Sequence, residues 1–452
     1  MKAILKKCKR ITVIALAMCM IVMIVVACSD DGAAVAEGEL SAHIHWMHFP
    51  WGYSGQFDTD TEWTQAMMDQ FTEKHPGVSF TYEAIPWDNW QAVISTSIAA
   101  GAPPDVFAFG SWLAGNYLDH LWPIDDFLTE EDWEDFIPAA MAGGYFDGQH
   151  YVWPWMNQGV NLVVNVDIAN ERGVTLPDNP AGDWTMAEFL EAAQLMTFVN
   201  DNGDQVFGGF ALYGLDPSIN WGMTSVVGNF GGSVFDDDLM YMNMNTPETI
   251  AALHWMLKLQ DELQVVPPGG AGLTIDQTRE MFIMQRTAMQ INSGDFAMWL
   301  GMAMDDGIID EPFEFQYVQF PLVEGRETTV TRIGPTGFIV FRQQTDDAYA
   351  RRDAAMAFCS MLTSVEELTI ASELDRLVPV RQSTAHLYSL YENFVASSRG
   401  KIFFNGSVEE SFYHEELTAL YQSVLNRSLT PEEAVRNFDE TLNETIRRIH
   451  GN

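Results

Sequence analysis

From about Ala42 the apolar pattern switches repeatedly between a period of two and a period near 3.6, and that alternation limits the fold more than any other feature. Ala42-His43-Ile44-His45-Trp46-Met47 reads as a strand. Glu62 to Lys74 carries Trp63, Ala66, Met67 and Phe71 at helical spacing, and His75-Pro76-Gly77 stops it. Val78 to Ile85 is a second strand, and Trp90 to Ala100 a second helix that ends at Gly101. Val106 to Phe109 is continuously apolar, as buried parallel strands tend to be. Strand, helix, strand, helix, strand in this order predicts a parallel α/β sheet. Ligands of such sheets bind beyond the carboxyl ends of the strands. His48 to Tyr53, Trp87, and Gly110-Ser111-Trp112 all follow strands, so one rim should collect them.

The chain has 452 residues, room for two or three domains. Its start is a leader. Lys2, Lys6, Lys7, Lys9 and Arg10 precede an apolar run from Ile11 to Val26, and Val25-Val26-Ala27-Cys28 closes it. The cysteine at the cleavage point resembles a bacterial lipobox, in which Cys28 is diacylated and becomes the new N-terminus. An uncleaved anchor is the alternative, although the run is shorter than the ~20 apolar residues of a spanning helix. Either reading puts the remaining chain outside the cell, on the extracytoplasmic face of the membrane. Residues 1–27 are then the signal peptide and 28–40, small and acidic, a flexible tether.

Loss of the five leader bases from 23 leaves 18 against 63 acids, a net charge near −45. Such a surface repels phosphate backbones and anionic head groups, which excludes nucleic acid as a natural partner. Cys8 and Cys19 leave with the leader and Cys28 is the lipid site, so Cys359 stands alone and no disulfide forms in the globular part. Cys359 lies in an apolar helical run and reads as a buried small side chain.

Several segments are similar to the extracellular solute-binding proteins of sugar-uptake ABC transporters. Ala102-Pro103-Pro104-Asp105-Val106 matches that family's "G-x-x-P-D-V". Phe146-Asp147-Gly148-Gln149-His150-Tyr151-Val152-Trp153-Pro154 and Asn161 to Asp167 resemble its crossing between lobes. Trp184-Thr185-Met186-Ala187-Glu188-Phe189 looks like its "W-T-x-x-E-F" helix start, and Gly231-Gly232 like its paired glycines. Ala288-Met289-Gln290-Ile291-Asn292-Ser293-Gly294 and Gly334-Pro335-Thr336-Gly337-Phe338 complete an ordered set. The resemblance implies an α/β fold of two lobes with three crossings and a central cleft. Lobe one would be 41–154 plus 321–341, and lobe two 155–320 plus 342–452. It also implies a carbohydrate ligand, an ABC permease as partner, a monomer, and neither cofactor nor catalysis.

The 14 Trp and 12% aromatic content suit a sugar, which presents C–H faces and hydroxyl edges. The expected ligand-binding residues of lobe one are His48, Trp51, Tyr53, Trp87, Phe109, Ser111 and Trp112. Trp155, Asn157 and Gln158 would lie on the hinge, and Trp221, Asp295, Phe296 and Trp299 would face them from lobe two. Trp46 can point to core or cleft. Trp133, Trp184 and Trp255 are expected to be core or props between the lobes. Phe296 stands where the family often has Trp, a smaller wall without a donor. His43-x-His45-x-x-His48 lacks a fourth ligand, so no metal is expected. Two alternatives stay open: a surface lipoprotein glycoside hydrolase, and the same fold serving a membrane sensor kinase.

Overall fold

The computed structural model describes residues 40–450, except 50–52, 54, 86–89, 111–113, 116, 178–183, 216–221, 239, 293, 328, 330, 393–394, 396–399 and 402–409. Its first sheet is built as the alternation predicts. Strands β1 (Ser41–His48), β2 (Gly77–Ala84) and β3 (Val106–Gly110) are parallel, with β1 between the other two. They are joined by helices α1 (Asp60–Lys74) and α2 (Trp90–Ala99). The Thr59 side chain accepts from the Glu62 amide and so starts α1.

The sheet is mixed rather than wholly parallel, because later strands return to it. After helix α3 (Glu130–Asp135) and the hairpin β4 (Tyr145–Phe146) to β5 (Gln149–His150), β6 (Trp153–Gly159) pairs antiparallel with β12 (Thr331–Val340). β12 also pairs antiparallel with β3, Thr336 standing opposite Gly110.

The second sheet has the order β11-β7-β10-β9-β8. Its strands are β7 (Asn161–Asn165), β8 (Phe198–Val199), β9 (Gln205–Phe210), β10 (Thr287–Asn292) and β11 (Phe315–Val318). Helices α4 (Met186–Leu195), α5 (Met223–Phe230), α6 (Pro247–Asp261), α7 (Ile275–Ile283) and α8 (Phe296–Asp305) serve this lobe. Trp184 and Trp255 are buried in its core, as expected.

Two apolar cores define the lobes, and they move three boundaries drawn from sequence. Trp155 to Gly159 still belong to the first sheet, and Val160 is the first residue in the second core. Phe320 is also in the second core, and the Leu322 amide donates to the Trp184 carbonyl, so the return crossing follows Leu322. Helices α9 (Ala348–Leu362) and α10 (Val365–Glu373) pack into lobe one, not lobe two: Ala354, Phe358, Leu362, Leu368 and Ala371 are all in its core. Cys359 is buried there too. The chain then returns to lobe two, where α11 (Glu410–Leu425) and α12 (Pro431–His450) contribute Leu417, Tyr421, Val435 and Leu442.

The third connection is a strap pinned on both sides. Leu377 and Val380 enter the lobe-one core, whereas Val378 and Tyr388 join Val163, Phe296 and Tyr317 in a smaller cluster of lobe two. Leu377 and Val378, neighbours in the strap, thus enter different cores.

Candidate ligand cleft between the lobes

Strand direction places the cleft. β12 and β6 run on past the carboxyl end of β3, and Gly159 leads through Val160 into β7. At the start of β7, Asn161 pairs with Asn292, the last residue of β10. The carboxyl ends of β3 and β10 therefore converge on one hinge, from opposite lobes. His48, at the end of β1, belongs to the same edge.

The hinge floor is polar and mostly buried. Thr336 Oγ1 donates to Gln158 Oε1 at 2.9 Å. The Asn157 amide donates to the Val378 carbonyl of the strap at 2.9 Å, while its side-chain Oδ1 is buried without a hydrogen bond among the described residues. In lobe two, Tyr317 OH and Tyr388 OH donate to the Gly294 carbonyl at 2.7 and 3.3 Å, and Asn292 Oδ1 accepts from the Gly294 amide at 3.1 Å. Gly294 has φ 90°, a left-handed conformation that suits glycine and turns the chain from β10 into α8. Burial raises both tyrosine pKa values, and Asp295 beside them adds to the shift, so both phenols stay neutral donors.

Behind the lobe-one rim lies a box of rings. His48 is fully buried, with Trp46, Trp63 and Trp155 at centroid distances of 5.4, 5.6 and 5.7 Å. Trp63 and Trp155 stack at 5.8 Å and 20°, and Tyr53 closes on both, at 5.1 and 5.7 Å. Five polar atoms in this box have no hydrogen bond among the described residues: His48 Nδ1 and Nε2, Trp46 Nε1, Trp63 Nε1 and Asp60 Oδ1. Asp60 Oδ1 lies 3.9 Å from His48 Nε2. Burial lowers the His48 pKa to about 3 and raises that of Asp60 to about 7. A neutral imidazole thus faces a carboxyl that gains a proton easily.

The residues singled out from sequence have different outcomes. His48, Tyr53 and Trp155 are brought together, but their faces are taken by other protein rings, and Trp155 is only 1% exposed. Phe296 is a correction: it is fully buried in lobe two between Phe282, Phe313 and Phe315, at 4.9, 6.0 and 4.9 Å, so it is core rather than wall. Trp133 is another correction, since it is surface-exposed rather than core. Asp295 and Trp299 stay partly exposed at the start of α8, and the Arg279 guanidinium covers the Trp299 ring at 3.8 Å. Phe109 stands opposite Gly337 in β3. Trp51, Trp87, Ser111, Trp112 and Trp221 lie outside the described residues.

The three histidines of His43-x-His45-x-x-His48 go to different surroundings. His43 bonds Ser79 and Thr81, His45 bonds Glu83, and His48 points into the ring box. Sequence reasoning missed Asp60, Trp63, Tyr317, Tyr388 and the strap, because none sits in a motif. A separate groove of about 410 Å³ in lobe two lies between Gly173–Pro177 and α4.

Comparison with known proteins decides the family. The model of the bacterial extracellular solute-binding proteins matches residues 57–368. The chain belongs to that family. A maltotriose-binding protein of Pyrococcus abyssi is 22% identical over 316 residues, which is 69% of this chain and 61% of that protein. The chain therefore spans under two thirds of that relative's length. Among solved structures, the maltose/maltodextrin-binding domain of Bdellovibrio bacteriovorus bound to maltotriose superposes with a TM-score of 0.70 at 19% identity. The superposition covers 90% of this chain and all of that domain. A Mycobacterium tuberculosis protein in complex with glycerophosphocholine superposes as well, with a TM-score of 0.69, 18% identity, and 90% and 99% of the two chains covered. This solute-binding protein thus has the two-lobe fold with a hinge between its sheets, a fold shared by proteins with different solutes.

Proposed function

We propose that this solute-binding protein is the capture component of an ABC importer, and that it holds a carbohydrate between its lobes. One observation carries the reading. On the hinge, Asn157 Oδ1 is buried with no hydrogen bond among the described residues, and the Trp299 ring stays partly exposed at the lobe-two side of the same junction. Buried polar groups are normally bonded, so an acceptor left open beside a partly exposed ring calls for a partner with hydroxyl donors and an apolar face. A sugar supplies both, and its C–H faces suit ring walls. The Pyrococcus relative and the Bdellovibrio structure, both named for maltotriose, support an oligosaccharide.

Trp51, Trp87, Ser111, Trp112 and Trp221 would supply the rim. Asn157, Asp295 and Trp299 would contact the ligand from the hinge and lobe two, and His48, Tyr53 and Trp155 would support the rim from behind. Binding is a hinge closure in which both lobes contribute, and the closed monomer delivers the sugar to a membrane permease. No bond is made or broken. Diacylated Cys28 would tether the protein to the extracytoplasmic face of the membrane, since two acyl chains give stable retention. Mass spectrometry of the native N-terminus tests that tether, and an unmodified Cys28 rejects it.

The capture reading is tested by thermal-shift titration of the mature protein with mono- and oligosaccharides. A ligand that binds only the folded state raises the melting temperature by mass action. A shift with a sugar is the expected result. A shift with glycerophosphodiesters alone would replace the ligand class.

A further inference from the structure

At the end of β6 opposite the hinge, α3 and the β4–β5 hairpin form a ledge that the capture mechanism does not use. Trp133 and Tyr145 are 43% and 48% exposed there, and their rings lean on the His150 imidazole at centroid distances of 5.0 and 4.8 Å. The ledge is held firmly. Asp125 accepts from His150 Nδ1 and from the His150 amide, both at 2.8 Å, which fixes the imidazole. Beneath it, buried Arg381 donates to Asp132 at 2.6 Å and Asp135 at 3.2 Å and stacks 3.9 Å over Phe136. Large rings held rigid in water are the usual anchors of protein interfaces, because little side-chain freedom remains to be lost on contact.

The exposed charged side chains of residues 125–150 are all acidic, and the guanidinium beneath them, Arg381, is buried and paired. The acids are Asp126, Glu130, Glu131, Glu134 and Asp147, and the sequence has no Lys or Arg between Lys74 and Arg172. Aromatic faces ringed by carboxylates attract cations, through the ring quadrupole and through direct pairing. A neutral glycan would use the rings and could hydrogen-bond the carboxylates through its hydroxyls, but it brings no positive charge to pair with them. We propose that this ledge docks a basic segment of a partner protein, with Lys or Arg side chains laid over Trp133 and Tyr145.

The test uses the mature protein and a hexa-arginine peptide, followed by titration calorimetry at about 0.15 M salt, where exposed charges are screened beyond ~8 Å. The wild type should bind the peptide. The double variant Trp133→Ala/Tyr145→Ala keeps every charge and should bind roughly tenfold more weakly, as loss of two cation–π contacts implies. Its melting temperature should match the wild type, which shows that the ledge still folds. Absence of peptide binding overturns the proposal. So does equal affinity in the variant, which would mean diffuse attraction to an acidic surface. Retardation by a soluble polysaccharide in affinity electrophoresis, lost in the same variant without peptide binding, would make the ledge a glycan platform instead.

Discussion

Replacing Trp155 by alanine should register as a loss of stability in lobe one rather than as a simple loss of sugar affinity. The indole is 1% exposed and meets Trp63, His48, Tyr53 and Phe338 at 5.8, 5.7, 5.7 and 5.4 Å. Truncating a buried Trp costs about 3–5 kcal/mol, the lost transfer energy plus the cavity left behind. Here the upper half applies, because rings on several sides cannot all collapse into the space. With a domain stability of about 5–15 kcal/mol, that loss is a large share of the total. Urea unfolding followed by circular dichroism would read it as a lower midpoint with an unchanged slope. Trp133→Ala is the control, and should change stability by no more than about 0.5 kcal/mol. If Trp155→Ala melts like the wild type yet loses its sugar, the ring is a cleft wall and the packing account fails.

Arg381→Ala should cost about 3–5 kcal/mol at neutral pH, because it leaves Asp132 and Asp135 largely buried without their cation. Burial works against the charged form of Asp132, but the hydrogen bonds from Arg381 and Thr129 outweigh it and hold the pKa below the usual carboxylate value. A depressed carboxylate stabilises above its unfolded pKa and loses that contribution as pH falls through the folded value. The difference between wild type and variant should therefore shrink below about pH 4; a pH-independent difference would contradict the ion-pair argument. Asp60 works in the opposite direction. Its raised pKa makes its contribution fullest below about pH 4 and lost as pH rises through about 7, so Asp60→Asn should gain stability over the wild type at pH 8. His48, with its pKa lowered to about 3, weakens the fold as pH falls below about 6.5, so His48→Phe should flatten the acid limb of a stability–pH curve.

The first sheet was legible in sequence because strand and helix periods differ and glycine or proline marks most ends. β1, β2 and β3 lie within a residue or two of their expected bounds. Which way a ring points was not legible. His48 and Trp155 do lie at a strand end and on a hinge strand, yet both side chains turn inward, a choice made by Trp63 and Phe338 from distant parts of the chain. Phe296 was lost in the same way, to Phe282 and Phe315. The 341/342 boundary failed for a related reason. The apolar face of Ala348–Leu362 says that the helix is buried but not against which lobe. Asp60 became visible only when the fold set it 3.9 Å from His48.

Small-angle scattering on the mature protein, with and without the sugar that gives the largest thermal shift, tests the two-lobe clamp most directly. The lobes are joined at Val160 and through the segment after Leu322, the connections about which the proposed closure would turn. The radius of gyration should fall when the sugar saturates the protein. Superimposable curves at saturation would mean that the solute binds without closure, and would contradict the mechanism.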